Sequence, residues 1–161
     1  MVPKPAEANA PRGAVSGEMT LRHKSREFAL QMLFEWDMTR KKPARVRQHF
    51  WKSARAAEST REFADQLFEG AVAESDAADK LVGTLSQNWR LERLAAVDRN
   101  ILRLAVYELR FATAPVKVVI DEALELAKTF SSEEAPGFLN GILDAANKAL
   151  EAKQKGASSG A

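Results

Sequence analysis

The sequence predicts an all-α fold, a bundle of about seven helices. Three observations point there. Apolar residues recur at helical spacing almost throughout residues 21–152. No run alternates apolar and polar residues strictly enough for a strand. Pro and Gly gather at the two ends and in a few short breaks. The 161 residues suit a single domain. Residues 1–20, rich in Ala, Pro and Gly, read as a disordered extension, 21–152 as the helical domain, and 153–161 as a disordered tail.

The first helix is expected from Leu21 to Thr39. At about 100° per residue, Leu21, Phe28, Ala29, Met32, Leu33 and Trp36 share one face. Lys41, Lys42 and Pro43 stop it. A weaker helix follows over Val46 to Ala56, then one from Thr60 to Ala73 anchored by Phe63, Leu67 and Phe68, then one from Ala77 to Leu85. Leu91 to Phe111 is the clearest pattern. Leu94, Val97, Ile101, Leu104 and Ala105 line one face, and Leu102 and Leu109 widen it, which makes this helix central. The restriction on residues before Pro115 ends it. Val118 to Phe130 turns Ile120, Ala123, Leu124 and Ala127 inward. Ser131 to Glu134 reads as a capping box, with Ser131 as cap and Glu134 at the third position. The last helix then runs to about Ala152 and buries Phe138, Leu139, Ile142, Leu143, Ala146 and Leu150. Gly141 offers a close helix crossing.

Several function classes drop out on composition. No apolar run has the length of a membrane span. The stretch Met1 to Met19 lacks the apolar core of a secretory signal. Without cysteine there is neither a disulfide framework nor thiolate chemistry, and a cytoplasmic location is the simplest reading. His23 and His49 offer no zinc-ligand spacing, and no glycine-rich phosphate loop occurs. Asp121, Glu122 and Glu125 read as helix-surface acids, and Glu133 and Glu134 as acids placed at a helix N-terminus. An enzyme, a metal and a cofactor are therefore not expected.

Charge carries the positive signal. Up to Arg55 there are twelve Lys and Arg against five Asp and Glu; beyond it, twelve against seventeen. A basic end of this kind suits a polyanion. Arg22 and Arg26 stand one turn apart at the border of the first helix's core face, and Lys24 points elsewhere. Gln31 and Phe34 lie on a second face. Cations hold phosphates and rings stack unpaired bases, so this opening suits single-stranded RNA; burial of Phe34 under another helix layer is the equal alternative. On the central helix Arg99, Arg103 and Arg110 fall within about 40° of one another. That stripe can face nucleic acid, an acidic protein or solvent. Glu108 lies in the apolar sector of the same helix and needs a cation from a neighbouring helix.

Three stretches in register resemble the NusB family of bacterial transcription antitermination proteins. They are Arg22-His23-Lys24-Ser25-Arg26-Glu27-Phe28-Ala29-Leu30-Gln31-Met32-Leu33-Phe34, then Val97-Asp98-Arg99-Asn100-Ile101-Leu102-Arg103-Leu104-Ala105-Val106-Tyr107-Glu108-Leu109, then Pro115 through Ile120-Asp121-Glu122-Ala123 to Phe138-Leu139-Asn140-Gly141-Ile142-Leu143-Asp144. The resemblance spans about Leu21 to Leu150. It implies a NusB-like bundle of two packed helical sub-bundles. It also implies binding of the boxA element of ribosomal RNA leader transcripts together with NusE, a small-subunit ribosomal protein, within the RNA polymerase antitermination complex. Position by position it implies RNA contacts at Arg22, Lys24, Arg26, Gln31, Phe34, Glu134 and Phe138. It implies a NusE contact at Asp98, with Arg99 and Arg103 beside it. A homodimer of the free chain stays open. The alternatives are a helical interaction scaffold without RNA, an RNA-targeting domain detached from a ribosomal RNA methyltransferase, and an acidic-site hydrolase.

Overall fold

The computed structural model describes residues 14–86 and 93–159, with side chains over 22–86 and 93–156. The described residues form seven α-helices: α1 Ala14–Thr39, α2 Pro43–Ser53, α3 Glu58–Ala73, α4 Ser75–Leu85, α5 Ala96–Phe111, α6 Val116–Phe130 and α7 Ala135–Ser159. No strand occurs among them.

The helix ends follow local chemistry. Arg40 takes a left-handed φ of 56° and its amide donates to the Trp36 carbonyl, closing α1. Pro43 then opens α2, where its missing N–H costs nothing. Ala112 caps α5 at φ 51°, and the Thr113 amide donates to the Glu108 carbonyl, the six-to-one bond of a Schellman end. This turn finishes α5 before Pro115, as the sequence requires.

Three expectations are corrected. α1 begins at Ala14 and α7 continues to Ser159, so part of each supposed disordered end is helical. Residues 1–13, 160 and 161 lie outside the described residues, as do Leu91 and Glu92 at the expected start of the central helix. Ser131 caps the C-terminus of α6 instead of opening α7, and its hydroxyl donates to Asp98 Oδ1 at 2.6 Å. The reason is tertiary: α6 runs through Phe130, so Ser131 closes that helix, and the Asp98 carboxylate on α5 accepts its hydroxyl proton in a charge-assisted bond.

Helices α1, α2 and α3 pack on one another, and so do α4, α5, α6 and α7; α5 also touches α1 and α3 and joins the two groups. That is the two-part bundle expected. Its core holds Met32, Leu33, Leu67, Phe68, Ile101, Leu102, Leu104, Leu126, Leu139 and Leu143, all fully buried. Each such side chain contributes about 1.5–3 kcal/mol through burial. Phe28, Phe50 and Trp51 meet edge to face at centroid distances of 4.9–5.7 Å and fasten α2 onto α1. The close helix crossing is at Gly70, where an added Cβ would lie 2.2 Å from Tyr107 Cζ. A Cβ added at Gly141 would meet no atom of another described element within 4 Å. A missing side chain matters only where another helix's ring comes to fill its place.

Candidate nucleic-acid interface

The opening of the described part of α1 divides its cations between surface and interior. Arg22 is exposed, with its guanidinium 4.5 Å from the centre of the Phe63 ring. Such stacking orients the fork while leaving the charge accessible. Lys24 is half-buried; its Nζ lies 5.4 Å from the Phe28 ring centre and 3.8 Å from Glu27 Oε2.

Arg26 is the correction. It is 2% exposed and buries its guanidinium against Glu108, with Nε and Nη2 donating to both carboxylate oxygens at 2.9–3.2 Å. The Thr113 hydroxyl completes that carboxylate at 2.7 Å. The cation that Glu108 needed and the arginine expected to face RNA are one pair. A buried carboxylate without it would carry the full desolvation penalty, so the pairing holds Arg26 inside.

His23 clasps α1 to α6. Its Nδ1 donates to Glu122 Oε2 at 2.6 Å and its Nε2 to Glu27 Oε1 at 2.9 Å. The hydrogen bond to Glu122, then that to Glu27, raise its pKa from 6.5 to about 9 against an opposing effect of burial. At neutral pH the ring is therefore cationic and offsets acids beside the basic opening.

Farther along α1 the second face is real. Phe34 is 41% exposed and Met38 54% exposed one turn on, so no layer of the described helices covers Phe34. Gln31 is half-buried beside them.

At the end of the bundle away from Arg22 a cleft of about 240 Å³ opens between the start of α5 and the start of α7. Phe138, Glu134, Asp98, Arg93 and Ser132 line it. Residues assigned separately to RNA (Glu134, Phe138) and to a protein partner (Asp98) thus share one cleft. Arg93 and Ser132 were missed by the sequence reading. An arginine just ahead of a helix carries no periodic signal, and only the fold brings it to Phe138.

Arg99 and Arg103 turn inward. Arg99 donates to Asp37 Oδ2 at 2.6 and 2.9 Å. Arg103 is 3% exposed, donates to both Asp79 oxygens at 2.8 Å and lies 3.2 Å from Asp37. Asn100 donates to Asp37 Oδ2, the oxygen that Arg99 also holds, at 3.2 Å. Burial pushes the Asp37 carboxyl up, but the bonds and charges of Arg99 and Arg103 outweigh it and hold it below the usual carboxylate range. Of the arginine stripe only Arg110 is exposed. Arg103 as a partner contact is corrected: the buried Asp37 on α1 and the half-buried Asp79 on α4 claim it.

No group of three His, Cys, Asp or Glu that could hold a metal occurs among the described residues. None of the described helices is long and apolar enough to cross a membrane.

An exposed arginine on a helix opening, a bare phenylalanine and an aromatic-lined cleft make this an all-α protein whose accessible chemistry is charge and ring faces. Residues 23–148 match the model of the NusB family. The chain belongs to that family. The transcription antitermination protein NusB of Koribacter versatilis (strain Ellin345) is 46% identical over 136 residues, covering 83% of this chain and 93% of that protein. That of Anaeromyxobacter dehalogenans (strain 2CP-1 / ATCC BAA-258) is 41% identical, over 84% of this chain and 96% of its own length. Among solved structures, T. maritima NusB superposes with a TM-score of 0.71 at 34% identity, covering 79% of this chain and 90% of that one. A structure of antitermination factors NusB and NusE in complex with dsRNA gives 0.72 at 28% identity, over 81% and 98%.

Proposed function

We propose that this protein is a transcription antitermination factor that binds boxA-type RNA of ribosomal RNA leader transcripts together with NusE and so assists RNA polymerase read-through. The observation that carries the reading is the cleft in which Phe138 and Glu134 stand beside Asp98, on a chain whose relatives bear the antitermination name. Arg22 and Lys24 neutralise phosphates. Phe34 and Phe138 support unpaired bases, with Gln31 and Glu134 bonding base edges. Arg93 adds a cation at the cleft. Asp98 meets a basic residue of NusE, and Arg99 fixes the first turn of α5 from behind through Asp37. The protein acts in the cytoplasm by binding and catalyses no reaction.

The test is a labelled boxA RNA titrated with the protein, with and without NusE, at two salt concentrations. Binding should strengthen with NusE, and log K should fall linearly with log salt. Absence of binding in every mixture would favour a helical scaffold without RNA.

A further inference from the structure

A second surface lies apart from these residues. A groove of about 620 Å³ runs between α4 and α7 with α5 as its floor. Ala77, Lys80, Leu81 and Thr84 follow the i, i+3, i+4, i+7 stripe of α4 along one wall. Ala149, Leu150, Lys153 and Gln154 form the other, and Val106 and Arg110, one turn apart on α5, lie between. It shares no residue with the Phe138 cleft.

Its chemistry restricts the occupant. Val106, 3% exposed, lies at the floor, and the half-buried Leu81 and Leu150 make the facing walls apolar. The lining holds three cations, Lys80, Arg110 and Lys153, and no carboxylate. Arg110 reaches Glu74 at 3.3 Å, a partly exposed pair that a competing carboxylate can replace at little cost. No aromatic ring lines the groove, so bases have nothing to stack on, and a phosphate backbone gains nothing from its apolar floor. The α4 wall from Ala77 to Thr84 is about 10 Å long at 1.5 Å per residue, which matches about two turns of a helix lying in the groove.

We propose that this groove docks an acidic amphipathic helix of a protein partner, with the partner's apolar stripe on Leu81, Val106 and Leu150 and its carboxylates on Lys80, Arg110 and Lys153. Apolar anchors at helical spacing supply affinity, and the ring of cations selects the partner by charge. The surface is independent of RNA binding and would leave the basic opening and the Phe138 cleft free.

The experiment uses the full chain and a fluorescein-labelled helical peptide with a Leu stripe and Glu elsewhere, followed by anisotropy and by amide shifts in the NMR spectrum. Saturable binding is expected, with shifts confined to α4, the C-terminal half of α7 and the end of α5. A scrambled peptide of the same composition should bind about tenfold more weakly, and so should the peptide to the Lys80→Glu/Lys153→Glu variant. Both lysines are exposed, so the variant keeps its fold, which its melting curve checks. Equal binding by the scrambled peptide or by the variant would overturn the proposal, as would shifts centred on Arg22, or no binding at all. Labelled single-stranded RNA that shifts the groove residues in the peptide's place would also overturn it.

Discussion

Arg22 and Arg26 stand one turn apart on the same helix, and the fold gives them opposite work. Arg22 leans on Phe63 at the surface with its charge accessible. Arg26 is spent inside on Glu108. The same division separates the Phe138 cleft, with Arg93 open on its lip, from the Asp37 network that holds Arg99 and Arg103. The role of Arg26 is therefore set by the acid buried within its reach. A buried acid turns a cation into a fastener between helices, whereas a cation at the surface can meet a ligand.

The sharpest way to break this contrast is Arg26→Ala. It leaves Glu108 buried with only Thr113 and should cost about 3–5 kcal/mol in urea unfolding. The paired change Arg26→Met with Glu108→Leu removes both charges and should restore most of that stability. It should also leave the salt slope of RNA binding unchanged. A flattened slope in this pair would return Arg26 to the RNA surface.

Rings come next. Phe34→Ala removes an exposed side chain, so the melting temperature should hardly move, while RNA affinity should fall by about 1–3 kcal/mol if a base stacks there. Unchanged affinity would show Phe34 to be a bystander.

Arg22→Ala should weaken RNA binding by less and lower the salt slope by about one, in contrast to the silent Arg26 pair. An unaltered slope would remove the visible half of the basic opening from the interface.

The smallest effect concerns the clasp at His23. Its pKa is raised on folding, so its contribution is complete below about 6.5 and is lost as the pH rises through about 9. The ring is partly exposed, which limits that contribution to about 1 kcal/mol. Thermal melts of the protein and of His23→Gln should therefore converge from about pH 7 to about pH 10. A constant gap over that range would mean the two carboxylates do not hold a charged ring.

The sequence by itself determined the seven helices, the central place of α5 and most of the core. Helical periodicity is a local property, written within a turn or two of each residue, and Leu102, Leu104 and Leu139 follow it directly. It also marked Glu108 as an acid in need of a cation. Only the tertiary structure decided which cation, because Arg26 lies 82 positions away in the chain. The cleft joining Arg93 to Phe138, the bond from Ser131 to Asp98, and the close crossing at Gly70 in place of Gly141 were settled the same way. Long-range pairing depends on how helices cross, and a buried charge binds whatever opposite charge that crossing brings within about 3 Å.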